Sequence, residues 1–165
     1  MSIPLRVVLF ALVLVSCVGC DLATKTTAHR ALRGRPPVLL LGGAIQLCYA
    51  ENPGGFLSAG ADLPRPVRSL LFVTFSLAIV ITVSVVALAG SSVSGFKVIG
   101  CALIAAGGLG NLVDRVTRGF ARDWIVVRTG PLHTGVFNLA DVAIMAGIAL
   151  LLLAVSRGAR RDPAA

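Results

Sequence analysis

The sequence predicts an all-α membrane protein built on four transmembrane helices. Three observations carry that reading. The chain is 56% hydrophobic and only 13% charged, whereas soluble domains carry about a quarter charged residues. Its mean hydropathy is +0.92. Four apolar stretches also reach the roughly 17–25 residues that cross a bilayer core. A length of 165 residues allows one compact bundle, so residues 1–165 are expected to form a single integral membrane domain.

The spans are expected at about Ile3–Gly19, Val67–Ala89, Phe96–Val113 and Val136–Val155. The apolar stretch Pro37–Ala50 is too short to cross. Its Gly42-Gly43 reads as a tight turn between strands Val38–Leu41 and Ala44–Ala50. Loops of very different size join the spans: about 20–66, then the short GSSVSG turn from Gly90 to Gly95, then a polar segment at about 114–135. An even number of spans puts both long loops on one face and both termini on the other. Every acidic residue except Asp162 belongs to or borders the long-loop face, which marks it as the working face.

The net charge of +8 comes from 15 Lys and Arg against 7 Asp and Glu. In a membrane protein this points to anionic headgroups, and no nucleic-acid module is recognisable. The terminal face holds Arg6, Lys97, Arg157, Arg160 and Arg161. The long-loop face holds Lys25, Arg30, Arg33, Arg35, Arg65, Arg68, Arg115, Arg118, Arg122 and Arg128. Taken alone, that count favours long loops in the cytoplasm. Cys17, Cys20, Cys48 and Cys101 are scattered and lack a histidine cluster, so they read as small apolar residues. Arg6, the apolar core and Leu14–Cys17 imitate a lipoprotein signal, but three further spans argue against processing there.

Charges at membrane depth are costly, roughly 2.5–3.5 kcal/mol each on insertion scales, and so mark functional candidates. Three clusters qualify. In GNLVDR, Asn111, Asp114 and Arg115 lie near one helix face, as a helix-ending ion pair or as a site. Asp123 precedes the apolar WIVV and, alone, reads as a surface residue. In FNLAD, Asn138 and Asp141 are three apart at the start of the last span; Asn138 is the better cap, leaving Asp141 in need of a partner or a catalytic purpose. If Asp123 and Asp141 meet, both cannot ionise easily, and they form an acid/base pair. Asp114, Asp123 and Asp141 could instead serve as a proton relay in a small transporter or channel subunit, or the chain could be a non-catalytic assembly or lipid-handling protein.

These motifs resemble the bacterial lipoprotein signal peptidases, the signal peptidase II family of membrane aspartic peptidases. The resemblance spans nearly the whole chain. It rests on Asp21 and Lys25 in D-x-x-x-K, on Glu51–Ser58, on G-N-x-x-D-R (Gly110–Arg115) followed by Gly119 and Asp123, and on Phe137–Asp141. It implies a small periplasmic β-sheet subdomain with a short helix, and no metal or cofactor. The implied activity is cleavage of prolipoproteins before the diacylglyceryl-modified cysteine. Asp123 and Asp141 would be the catalytic pair, with water as nucleophile. Asn52, Gly54, Asn111, Asp114, Arg115, Asn138, Asp21 and Lys25 would bind substrate or support the site. Asn111 and Arg115 would hold substrate backbone, with Asp114 fixing Arg115.

The implied partners are lipid-modified prolipoproteins and membrane lipids. One chain supplies both aspartates, so a monomer is expected. The implied place is the bacterial inner membrane, with the site near the periplasmic face. That orientation is preferred over the charge count because Lys25 and Arg115 have site roles and long loops translocate despite charge. The chain departs from the family pattern in N-P-G-G-F-L-S after Glu51, in Trp124 and in Arg122, departures expected to affect substrate fit or the range of clients.

Overall fold

The computed structural model describes residues 1–55, 60, 62–90 and 93–159. Phe56 and Ser58 of the Glu51–Ser58 motif lie outside the described residues, as do Ser91 and Ser92 of the short turn and Arg160, Arg161 and Asp162. Four long helices, α1 (Ile3–Leu32), α2 (Arg65–Ala89), α3 (Gly95–Arg118) and α4 (Leu139–Ala159), form the bundle. Each is long and apolar enough to cross a membrane.

Burial separates α3 from the others. In its apolar window 61% of residues are buried, against 11, 6 and 11% for α1, α2 and α4, so α3 is the central helix and the others face lipid. Small residues permit this packing. A Cβ at Gly147 would sit 2.6 Å from the Gly100 carbonyl oxygen, and one at Gly107 would overlap the Ala140 carbonyl. Close backbone approach of this kind favours association within lipid. Towards the terminal end the core is apolar: Phe10, Ala87, Val93, Val98, Cys101, Ala102 and Ala105 pack together.

At the opposite end lies a four-stranded antiparallel sheet in sequence order: β1 (Val38–Leu40), β2 (Ile45–Asn52), β3 (Ala121–Thr129) and β4 (Leu132–His133). The expected hairpin is present. Its connection is a 3₁₀ turn at Leu41–Gly43, entered at a positive φ of 51° for Leu41 and followed by glycines at 66° and 91°. The helices run further into the polar segments than hydropathy alone indicates. α1 continues to Leu32 and α3 to Arg118, where Gly119, at φ 81°, donates its N–H to Arg115 O and ends the helix. The chain then turns directly into β3.

Candidate active site

Three backbone features bring the separated motifs together. β2 pairs with β3 so that Asn52 lies opposite Ala121 and Ala50 opposite Asp123, after an irregularity between Leu47 and Ala50. Asn52 and Asp123 are thus diagonal neighbours on one face, and Asn52 Nδ2 donates to Asp123 Oδ2 at 3.0 Å. Next, Phe137 bridges to β3. It donates its N–H to Ile125 O, and its carbonyl accepts from Trp124 and Ile125, each at 2.9 Å. The start of α4 is therefore stitched to the strand carrying Asp123. Finally, Asn138 and Asp141 form a reciprocal cap: the Asp141 N–H donates to Asn138 Oδ1 and the Asn138 N–H to Asp141 Oδ2, each at 3.1 Å. Capping and site membership are the same interaction.

Amides surround both carboxylates. Asp123 Oδ1 accepts from Asn138 Nδ2 at 2.6 Å, and Asp141 Oδ1 accepts from Asn111 Nδ2 at 2.9 Å. All four carboxylate oxygens therefore accept an N–H, and neither group has an ion pair among the described residues. Asp123 is 2% exposed. Burial, and after it the charge of Asp141, push its acid dissociation up to about 6, against the opposing pull of Asn52, Asn138 and Lys25.

A second carboxylate group is arranged differently. Asp114 is fully buried and binds Arg122 three ways: Nη2 to Oδ1 at 2.8 Å, Nε to Oδ1 at 3.0 Å, and the Arg122 N–H to Oδ2 at 3.1 Å. Lys25 stands 3.6 Å from Asp114 Oδ2 and Arg118 3.5 Å from Oδ1. Asp114 therefore does not fix Arg115, as the motif reading expected. Adjacent helix residues point apart, and Arg115 reaches instead to the Gly54 carbonyl at 2.8 Å and over the Phe72 ring at 5.6 Å. Nor is Arg122 a substrate-facing departure; it is 3% exposed and anchors β3 to the end of α3.

The expected support residues occupy defined places. Lys25 Nζ lies 2.7 Å from Asp21 Oδ2, and Asp21 Oδ1 accepts the Ala140 N–H at 2.9 Å. Gly110 leaves the space that Asp21 fills. Gly54 donates to Asn52 Oδ1 at 3.0 Å, and Asn52 Nδ2 also reaches Gly55 O at 3.1 Å, so the turn after β2 sets the Asn52 rotamer. Asn111 commits its oxygen to Lys25 and Asn138 and orders the site from within. Arg122 was missed as a partner of Asp114. The available signal was the helix-ending Gly119, which folds residue 122 back onto the last turn of α3.

A bundle of four membrane-length helices with two amide-held carboxylates converging from a strand and a helix start defines a multi-pass membrane protein with a hydrolase-like site. The family model described as "Signal peptidase (SPase) II" matches residues 13–157, and the chain belongs to that family of aspartic-type peptidases. Among similar proteins, the lipoprotein signal peptidase of Sulfurihydrogenibium sp. (strain YO3AOP1) is 34% identical, over 80% of this chain and 81% of that one. The lipoprotein signal peptidase of Methylocella silvestris is 36% identical, over 88% and 84%. A solved bacterial membrane enzyme superposes with a TM-score of 0.80 at 21% identity, covering 94% of this chain and 89% of the other. The chain is thus a membrane peptidase that processes the signal peptides of prolipoproteins.

Proposed function

We propose that the chain is an endopeptidase that cuts prolipoproteins immediately before the diacylglyceryl-modified cysteine, with Asp123 and Asp141 activating water. The observation that carries this reading is that two carboxylates, Asp123 buried and Asp141 half-buried, come together with an N–H donor on every oxygen and, among the described residues, no cation paired with either. Such a pair keeps one proton where two ionised groups would repel. The ionised member takes a proton from water as it attacks the scissile carbonyl, and the protonated member donates to the carbonyl oxygen. Collapse of the tetrahedral adduct breaks the C–N bond, and the pair returns a proton to the leaving amine. The Arg115 Nε–H is buried and has no partner among the described residues, so it is available to a substrate carbonyl.

The site lies at the end of four apolar helices, which suits a substrate whose signal helix and diacylglycerol both lie in lipid. The reading places the protein in the inner membrane, with this end at the periplasmic face and the monomer as the working unit. Lys25 and Arg122, counted among the basic residues of that face, are buried against Asp21 and Asp114, which weakens the charge argument for the opposite orientation.

The test is a gel-shift assay in detergent micelles with purified protein and a diacylglyceryl-modified prolipoprotein, with mass spectrometry of the product. Wild type is expected to release a chain beginning with the lipidated cysteine, and Asp123→Asn and Asp141→Asn to release none. Folded wild type that leaves several lipidated substrates uncut overturns the reading. Cleavage by Asp123→Asn would preserve a peptidase and remove the pair.

A further inference from the structure

The hydrogen-bond network of the site has a direction, and the direction starts at a group that never reaches the carboxylate pair. Lys25 is fully buried and carries three donors and no acceptor. Its Nζ lies 2.8 Å from Asn111 Oδ1. An amide facing an ammonium must present its oxygen, so Asn111 Nδ2 is forced to the far side, where it donates to Asp141 Oδ1. The same Asn111 oxygen accepts from Asn138 Nδ2 at 3.1 Å. This turns Asn138 so that Nδ2 also donates to Asp123 Oδ1, while its own oxygen takes the Asp141 N–H. With both amides reversed, oxygens would face carboxylates.

We propose that Lys25 is a positioning residue for the peptidase reaction: as a donor-only group it sets the orientation of the Asn111 amide, and through it that of Asn138, so that both members of the pair meet N–H donors. The proposal rests on the reading of Asp123 and Asp141 as the reacting pair. Asp21 holds the ammonium in register, because its second oxygen is bound by the Ala140 N–H in the first turn of α4, beside Asp141. Neutralising Asp114 does not require Lys25, since Arg122 binds that carboxylate at shorter distances. The charged groups around the network are Asp21 and Lys25 from α1, Asp114 and Arg115 from α3, Arg122 and Asp123 from β3, and Asp141 from α4.

The experiment replaces the buried ion pair by a neutral one, Lys25→Met with Asp21→Asn, and follows cleavage of a diacylglyceryl-modified prolipoprotein against pH in micelles, with Tm recorded alongside. The expected result is a KM close to wild type and a kcat lowered about ten- to a hundredfold, the worth of a hydrogen bond to a charged group. The acid-side midpoint should rise by about one pH unit, because the ionised pair loses a donor. The same exchange in an Asn111→Leu background should leave only the small direct pull of Lys25 on Asp123 and so move both quantities much less, since the transmitting amide is gone. Equal effects in both backgrounds would mean a direct field or packing effect and would overturn the proposal.

If the double substitution does not fold, Lys25→Arg and Lys25→Gln decide the matter. Arginine is also donor-only and should keep the wild-type midpoint, whereas glutamine can present an oxygen and should raise it. Equal midpoints sink the proposal. Asp123→Asn and Asp141→Asn in the same assay separate the two failures: cleavage by either defeats the reading of the pair, while their inactivity beside an unmoved midpoint defeats only the role of Lys25.

Discussion

Asp114 and Asp123 lie at the same end of the bundle, 0 and 2% exposed, yet the protein treats them in opposite ways. Asp114 is bound by Arg122 through both its guanidinium and its backbone N–H, with two further cations within 3.6 Å. Among the described residues, Asp123, with Asp141, receives only neutral N–H groups. A carboxylate matched by cations is stable as an anion and holds elements together. One held by amides beside a second carboxylate remains ready to exchange a proton. The difference teaches that burial alone does not set a carboxylate's role; on the proposed reading, the identity of its donors does.

The comparison breaks most visibly at Asp114. Asp114→Asn leaves Arg122 buried without its counter-ion, while Lys25 keeps Asp21, and removing one partner of a buried pair costs about 3–5 kcal/mol, which should appear as a large fall in Tm in micelles. Next comes the helix crossing beneath the pair. Gly107→Ala drives a methyl into the Ala140 carbonyl and Ile144, one residue from Asp141. Overpacking of this kind costs roughly 1–3 kcal/mol, and here it should lower cleavage as well as Tm.

Asn52→Ala sharpens the comparison. Wild-type cleavage should decline as pH rises past about 6, where Asp123 loses its proton. The Asn52 donor favours the ionised form, so removing it should move that decline to higher pH in a kcat/KM profile, with a rate loss of about tenfold. Smallest of all, Arg33→Ala breaks the exposed 3.3 Å pair with Glu51 and should change Tm by no more than about 0.5 kcal/mol equivalent, since exposed pairs contribute little.

Much of this was legible beforehand, and the failures share a cause. Hydropathy found the apolar middle of each helix but stopped α1 at Gly19 and α3 at Val113. The turns beyond them carry Asp21, Lys25, Asp114 and Arg115, whose polarity is satisfied only by partners on other elements. Gly42-Gly43 announced a hairpin because the chain needs positive φ there. β3 was not legible as a strand, since Arg122 and Asp123 near its start are polar yet buried by the bundle end. Motif spacing named Asp123 and Asp141 as a possible pair but could not show that they meet. The bridge from Phe137 to Ile125 that joins them is backbone to backbone and leaves no trace in residue type. Asp114 was assigned to its neighbour Arg115 because proximity along the chain is visible and proximity across the Gly119 turn is not.

The central claim is that Asp123 is held for reaction and Asp114 for stability. It is tested most directly by measuring Tm at pH 8, together with cleavage of a lipidated prolipoprotein, for Asp123→Asn beside Asp114→Asn. The folded-state value of Asp123, about 6, lies above the roughly 3.9 of an unfolded chain. Ionisation therefore weakens the fold as pH rises through that window, and the weakening is complete at pH 8. Asp123→Asn should accordingly keep or raise Tm at pH 8 while cleavage is lost, whereas Asp114→Asn should lose Tm. An Asp123→Asn protein that melts as early as Asp114→Asn, or that still cleaves, would contradict the claim.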